Sequence, residues 1–166
     1  MNPVRRILLL AILALAVPAG ALAAPAAVGD GALALNSASG TIYVSGRGLI
    51  FGHFDSGTLM VLDYRPDDGL STPVVSSGKG KFVKGTGSGV FSGADVRFLL
   101  PSGRYTIELI GVGIDASAVG KGNIVTTGLG SPDDGSYTVN GGKPVFLGKP
   151  TGDVFGAKAA TTTVSS

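Results

Sequence analysis

From Leu33 onward, apolar residues alternate with polar ones or gather in short β-branched runs, and Gly, Pro, Asp or Ser closes each run. Period-two alternation sends successive side chains to opposite faces of a pleated strand, so the pattern predicts strands joined by turns. The expected strands cover 41–51, 58–64, 74–83, 95–100, 104–110, 119–126, 137–139 and 145–147. No segment carries a convincing 3.6-residue helical period. Eight short strands at this spacing predict an all-β fold, either an antiparallel β-sandwich or a small closed β-barrel of about eight strands.

The clearest local unit runs from Asp95 to Leu109, with Pro101-Ser102-Gly103 at its centre. Val96, Phe98 and Leu100 share one face of the first arm, and Tyr105, Ile107 and Leu109 share one face of the second. Arg97, Arg104, Thr106 and Glu108, the chain's one glutamate, look outward. The segment reads as a β-hairpin, because Pro101 and Gly103 interrupt a helix and Val96, Thr106 and Ile107 favour extended chain.

Three tripeptides, Gly46-Arg47-Gly48, Gly78-Lys79-Gly80 and Gly120-Lys121-Gly122, set one cation between two glycines. In a strand the glycines share a face that then lacks side chains, so a second backbone can approach or the strand can bend. The pattern favours a tightly curved or closed sheet. Two identical tetrapeptides, Pro66-Asp67-Asp68-Gly69 and Pro132-Asp133-Asp134-Gly135, read as tight turns. A calcium site on Asp67, Asp68, Asp133 and Asp134 is the alternative, since carboxylates and loop carbonyls supply oxygen ligands.

The start of the chain has a different pattern. Arg5 and Arg6 precede the apolar run Ile7 to Val17, which leads through Pro18 to Ala21-Leu22-Ala23. That is the layout of a secretory signal peptide, expected over 1–23 with cleavage after Ala23. The 11-residue run is shorter than the about 20 residues that a membrane helix needs, so no transmembrane anchor is expected after cleavage. The paired arginines fit twin-arginine export as well as the general route. The absence of cysteine leaves no lipid attachment point and no disulfides, so the core alone must stabilise the fold. A flexible segment over 24–32, a single all-β domain over 33–150 and a flexible tail over 151–166 complete the expected organisation.

Removing the signal changes the charge. It holds two of the 13 Lys and Arg and none of the 11 Asp and Glu, leaving 11 against 11. A mature chain of zero net charge argues against nucleic acid as a partner.

Candidate chemistry is sparse. His53, the lone histidine, lies in Phe51-Gly52-His53-Phe54-Asp55, where a strand would place it and Asp55 on one face. Packing against Phe51 and Phe54 or a solvated polar face is the plainer reading of the same residues. No G-x-S-x-G elbow, phosphate-binding loop or zinc motif occurs, and no cofactor is expected. Asp95, Glu108 and Asp115 are available for two-carboxylate chemistry, but the sequence does not set their separation. Arg47, Lys79 and Lys121 would form a cationic patch for a phosphate, a carboxylate or an acidic polysaccharide if their strands are neighbours. Tyr43, Tyr64, Tyr105 and Tyr137 are candidate sugar platforms, or core residues. The expected function is that of an exported, secreted or periplasmic bacterial β domain without catalytic activity. It acts through binding or structure in the cell envelope or extracellular space, on an envelope polysaccharide or another anionic ligand. The alternatives are a secreted hydrolase using His53 and Asp55, and a calcium-dependent adhesion or carbohydrate-binding module.

Overall fold

A computed structural model describes residues 29–62 and 72–156. They form eight strands: β1 (Gly31–Leu62), β2 (Val74–Ser76), β3 (Lys79–Val83), β4 (Ser88–Leu100), β5 (Arg104–Gly128), β6 (Ser136–Val139), β7 (Val145–Phe146) and β8 (Thr151–Phe155). A single 3-10 turn over Lys84–Thr86 joins β3 to β4. Every pairing is antiparallel. The fold is all-β, as the alternation predicts.

Two strands are far longer than expected, and their register explains the architecture. β1 absorbs the segments expected at 41–51 and 58–64 as far as Leu62, and β5 absorbs those at 104–110 and 119–126. Within β1, residues 41–47 lie between 104–110 and 121–127 of β5, whereas residues 50–53 lie between β4 and residues 115–118 of β5. Followed outward, the ladders define two layers. One runs β3, 88–92, 57–62, 106–111, 40–46, 122–127, β8; the other runs β2, 97–99, 50–54, 115–119, 31–36, β6, β7. β1, β4 and β5 each bend out of one layer into the other.

Among the described residues no pairing joins β2 or β3 to β7 or β8, so the sheet is not closed into a barrel. The sandwich is the arrangement observed. Leu35, Ile42, Val44, Ile50, Phe54, Leu59, Val96, Phe98, Ile107 and Leu109 fill the space between the layers together with Tyr105, Tyr137 and Phe155.

The bends coincide with special backbone. Gly113 has φ 62, and a Cβ there would overlap the Asp55 side chain lying across it. Gly48 and Gly120 face each other where β1 and β5 change layer, and a Cβ on either would overlap the opposite strand's carbonyl. The close approach read from the Gly-x-Gly tripeptides therefore occurs, though only the first and third tripeptides meet.

Two expectations need correction. β4 and β5 do not pair as a hairpin: Leu100 is opposite Ile50, Arg104 is opposite Arg47, and β1 lies between the arms. Residues 101–103 instead arch from one layer to the other. The facial assignment survives, since Val96, Phe98, Leu100, Tyr105, Ile107 and Leu109 are all buried. Two arms with strong apolar faces bury more by facing each other across a core than side by side in one sheet. The second correction concerns the start of the expected tail. Thr151–Phe155 pairs with 122–126 of β5, and Phe155 is fully buried. Gly31 and Ala32, in the segment expected to be flexible, open β1.

Candidate functional site

The cation at the middle of each Gly-x-Gly tripeptide is placed by its register. Arg47 on β1 is opposite Arg104 on one side and Lys121 on the other. Three cations thus stand side by side on adjacent strands, with about 5 Å between neighbouring backbones. They border an open depression of about 440 Å³, whose remaining wall is Ser45, Gly46, Gly122, Asn123 and residues 154–156. Arg47 and Arg104 are exposed and Lys121 is half-buried. The glycines beside them, Gly46 opposite Gly122 and Gly48 opposite Gly120, are where the two backbones close together and turn. The cations occupy the outside of that corner.

Lys79 does not join them. It lies on β3, opposite Ser92, at the far edge of the layer. β3 and the Lys121 strand are five ladder steps apart, about 24 Å at about 4.8 Å per step. The place assigned to Lys79 is taken by Arg104. In the expected hairpin Arg104 simply looks outward, and nothing in the sequence announces that β1 intervenes and brings Arg47 beside it.

His53 and Asp55 do come together. Nε2 lies 3.2 Å from Asp55 Oδ1, and Nδ1 lies 3.7 Å from Asp115 Oδ2 on the neighbouring strand. Both ring nitrogens therefore face carboxylates. Among the described residues no hydroxyl hydrogen-bonds the ring; Nε2 is within hydrogen-bonding distance of Asp55, whereas the 3.7 Å from Nδ1 to Asp115 is an ion-pair distance. Asp115 also accepts the Ser37 amide at 2.8 Å, and Arg97 lies across from His53 with its Nε 3.9 Å from Asp95. These contacts link two bends of β1 to β5, with Arg97 and Asp95 of β4 alongside.

Pro132-Asp133-Asp134-Gly135 is a turn. Asp134 is buried, and its Oδ2 accepts the amides of Gly130 at 2.7 Å and Ser131 at 2.8 Å. A carboxylate engaged in this way holds its own loop. Asp133 is exposed, and among the described residues no group of three His, Asp or Glu side chains is arranged to hold a metal ion. Asp67 and Asp68 lie outside the described residues, as does Tyr64.

The tyrosines separate by face. Tyr105 and Tyr137 are buried, whereas Tyr43 is 43 % exposed on the outer face of the layer that carries the cations. Tyr43 is opposite Glu108, whose hydrogen bond and charge hold the phenol's pKa above its ordinary value. Burial does the same to Tyr105.

These features define an all-β sandwich with a cationic row on one outer face. Comparison with protein families, with curated proteins and with solved structures finds no match to the chain. Among the described residues no helix is long and apolar enough to cross a membrane.

Proposed function

We propose that this is an exported, non-catalytic binding protein of the cell envelope or extracellular space, whose ligand presents anionic groups to Arg47, Arg104 and Lys121. The observation that carries this reading is the register that makes Arg47 the cross-strand neighbour of both other cations. The row borders a depression with room for phosphate or carboxylate groups. Guanidinium forks suit both, and two of the three cations are arginines. The tripartite apolar leader supports export, and with it a secreted or periplasmic location.

Calorimetric titration of the exported protein with inorganic polyphosphate and with oligogalacturonate tests the proposal. Arg47→Ala is expected to weaken both at least tenfold, the loss of about 1.4 kcal/mol, while Lys79→Ala leaves both unchanged. Equal affinity of the wild type and Arg47→Ala for both ligands refutes it.

A further inference from the structure

The cationic row is one edge of a larger ordered surface. Three neighbouring segments present matched positions outward: Glu108, Thr106 and Arg104 on one pass of β5; Tyr43, Ser45 and Arg47 on β1; Val125, Asn123 and Lys121 on the other pass of β5. Read along the strands, the chemistry changes in steps. The first rank is Glu108, Tyr43 and Val125. The second is Thr106, Ser45 and Asn123, in which the Ser45 and Thr106 hydroxyls hydrogen-bond at 2.9 Å. The third is the cations. The grid measures about 13 Å along the strands and about 10 Å across them.

We infer that the anion recognised at Arg47 is borne by an acidic glycan, with one sugar ring lying against Tyr43 beside Glu108 and an acid group further along the chain reaching Arg47. The inference rests on the anion-binding reading and deepens it. A sugar ring has an apolar C–H face and equatorial hydroxyls. The half-exposed Tyr43 ring, flanked by exposed Val125 and, across Glu108, by exposed Met60, offers the first a surface. The Glu108 carboxylate, opposite Tyr43 on the neighbouring pass of β5, accepts hydrogen bonds from sugar hydroxyls. Thr106, Ser45 and Asn123 supply neutral donors and acceptors between ring and acid. Other occupants match less of the grid. A phosphate polymer has nothing for Tyr43, and an acyl-chain surface would bury the Glu108 carboxylate at a desolvation cost. A second copy of this face would meet three cations with one carboxylate.

The test compares oligogalacturonate, which has rings and carboxylates, with polyphosphate, which has charge alone, on the full exported chain. Tyr43→Ala is expected to weaken oligogalacturonate about tenfold, Glu108→Gln to weaken it several-fold and Tyr43→Phe to preserve most of the affinity, with polyphosphate indifferent to all three. If Arg47→Ala weakens oligogalacturonate and Tyr43→Ala does not, the glycan inference falls while the anion site stands. If Arg47→Ala changes neither ligand, both fall. Binding of phosphatidylglycerol vesicles, or concentration-dependent dimerisation, that is abolished by Tyr43→Ala also overturns the inference, because the ring then serves a membrane or a second copy. Tyr43 is at the surface, so its substitutions leave the core intact.

Discussion

Tyr105 carries a hydroxyl into the core where, among the described residues, it finds no hydrogen-bond partner. A buried hydroxyl without a partner costs roughly 1–3 kcal/mol, so Tyr105→Phe is expected to stabilise the protein by about 1 kcal/mol. Thermal unfolding checks this: the midpoint should rise by several degrees, and a fall of similar size would show that the hydroxyl is satisfied. Asp134 is the opposite case, a buried carboxylate whose Oδ2 accepts two backbone amides. Asp134→Ala leaves the Gly130 and Ser131 amides without their partner and is expected to cost about 2–3 kcal/mol, while Asp134→Asn retains an acceptor oxygen and costs less. Chemical denaturation of the two variants ranks them, and the reverse order would contradict the loop-holding role. At this scale the sequence was informative wherever chemistry is local. The turn at 132–135 follows from Pro, Asp and Gly, and inward positions follow from alternation. Which outward charges meet was not legible, because Arg47, Arg104 and Lys121 come from segments joined only by tertiary register.

The strands show where local signals stop. Alternation located nearly every segment, but not the joins between them. The outline of 41–51 and 58–64 was interrupted by His53, Asp55, Ser56 and Gly57, residues that mark turns elsewhere and here let one strand bend between layers. Pro101-Ser102-Gly103 was read as a hairpin turn because a hairpin and an arch share the same residue preferences; the difference lies in what stands between the arms. β8 went unread for another reason. Thr151-Gly152-Asp153-Val154-Phe155 carries two poor strand formers, and its one strong anchor is Phe155, which fills the core below the Gly122 corner. Phe155→Ala is expected to cost about 3–5 kcal/mol, the usual cost of deleting a fully buried aromatic ring. Removing the chain after Pro150 should be at least as damaging, because it also exposes the 122–126 edge of β5 to unwanted strand pairing. Denaturant titration measures the first, and aggregation on expression reports the second. A loss below about 1 kcal/mol for Phe155→Ala would mean that β8 is only loosely attached.

Considered as a whole, residues 24–166 balance 11 Lys and Arg against 11 Asp and Glu, yet charges of the two signs gather in different places. Asp55, Asp95 and Asp115 gather near the bends that His53 joins, while Arg47, Arg104 and Lys121 occupy the corner where β1 and β5 change layer. Along β1 the path from Arg47 to Asp55 is eight residues, about 26 Å at about 3.3 Å per residue. Net charge hides this separation of Asp55 and Asp115 on one stretch of the fold from Arg47, Arg104 and Lys121 on another. It also gives a test that locates the ligand independently of the direct contacts. At low ionic strength, where the Debye length is about 30 Å, the acidic corner is within electrostatic reach of the cationic row, and Asp55→Asn is expected to tighten oligogalacturonate binding slightly. At physiological ionic strength the Debye length is about 8 Å, and the same variant should bind like the wild type while Arg47→Ala remains weak. Wild-type affinity should fall steadily as salt shortens the Debye length toward about 3 Å, because the attraction comes from solvent-exposed charges. Titrations across that range decide between the two ends of the molecule. An Asp55→Asn effect at physiological salt as large as that of Arg47→Ala would place the ligand against the imidazole and its carboxylates, and the cationic row would then be only a solvated corner.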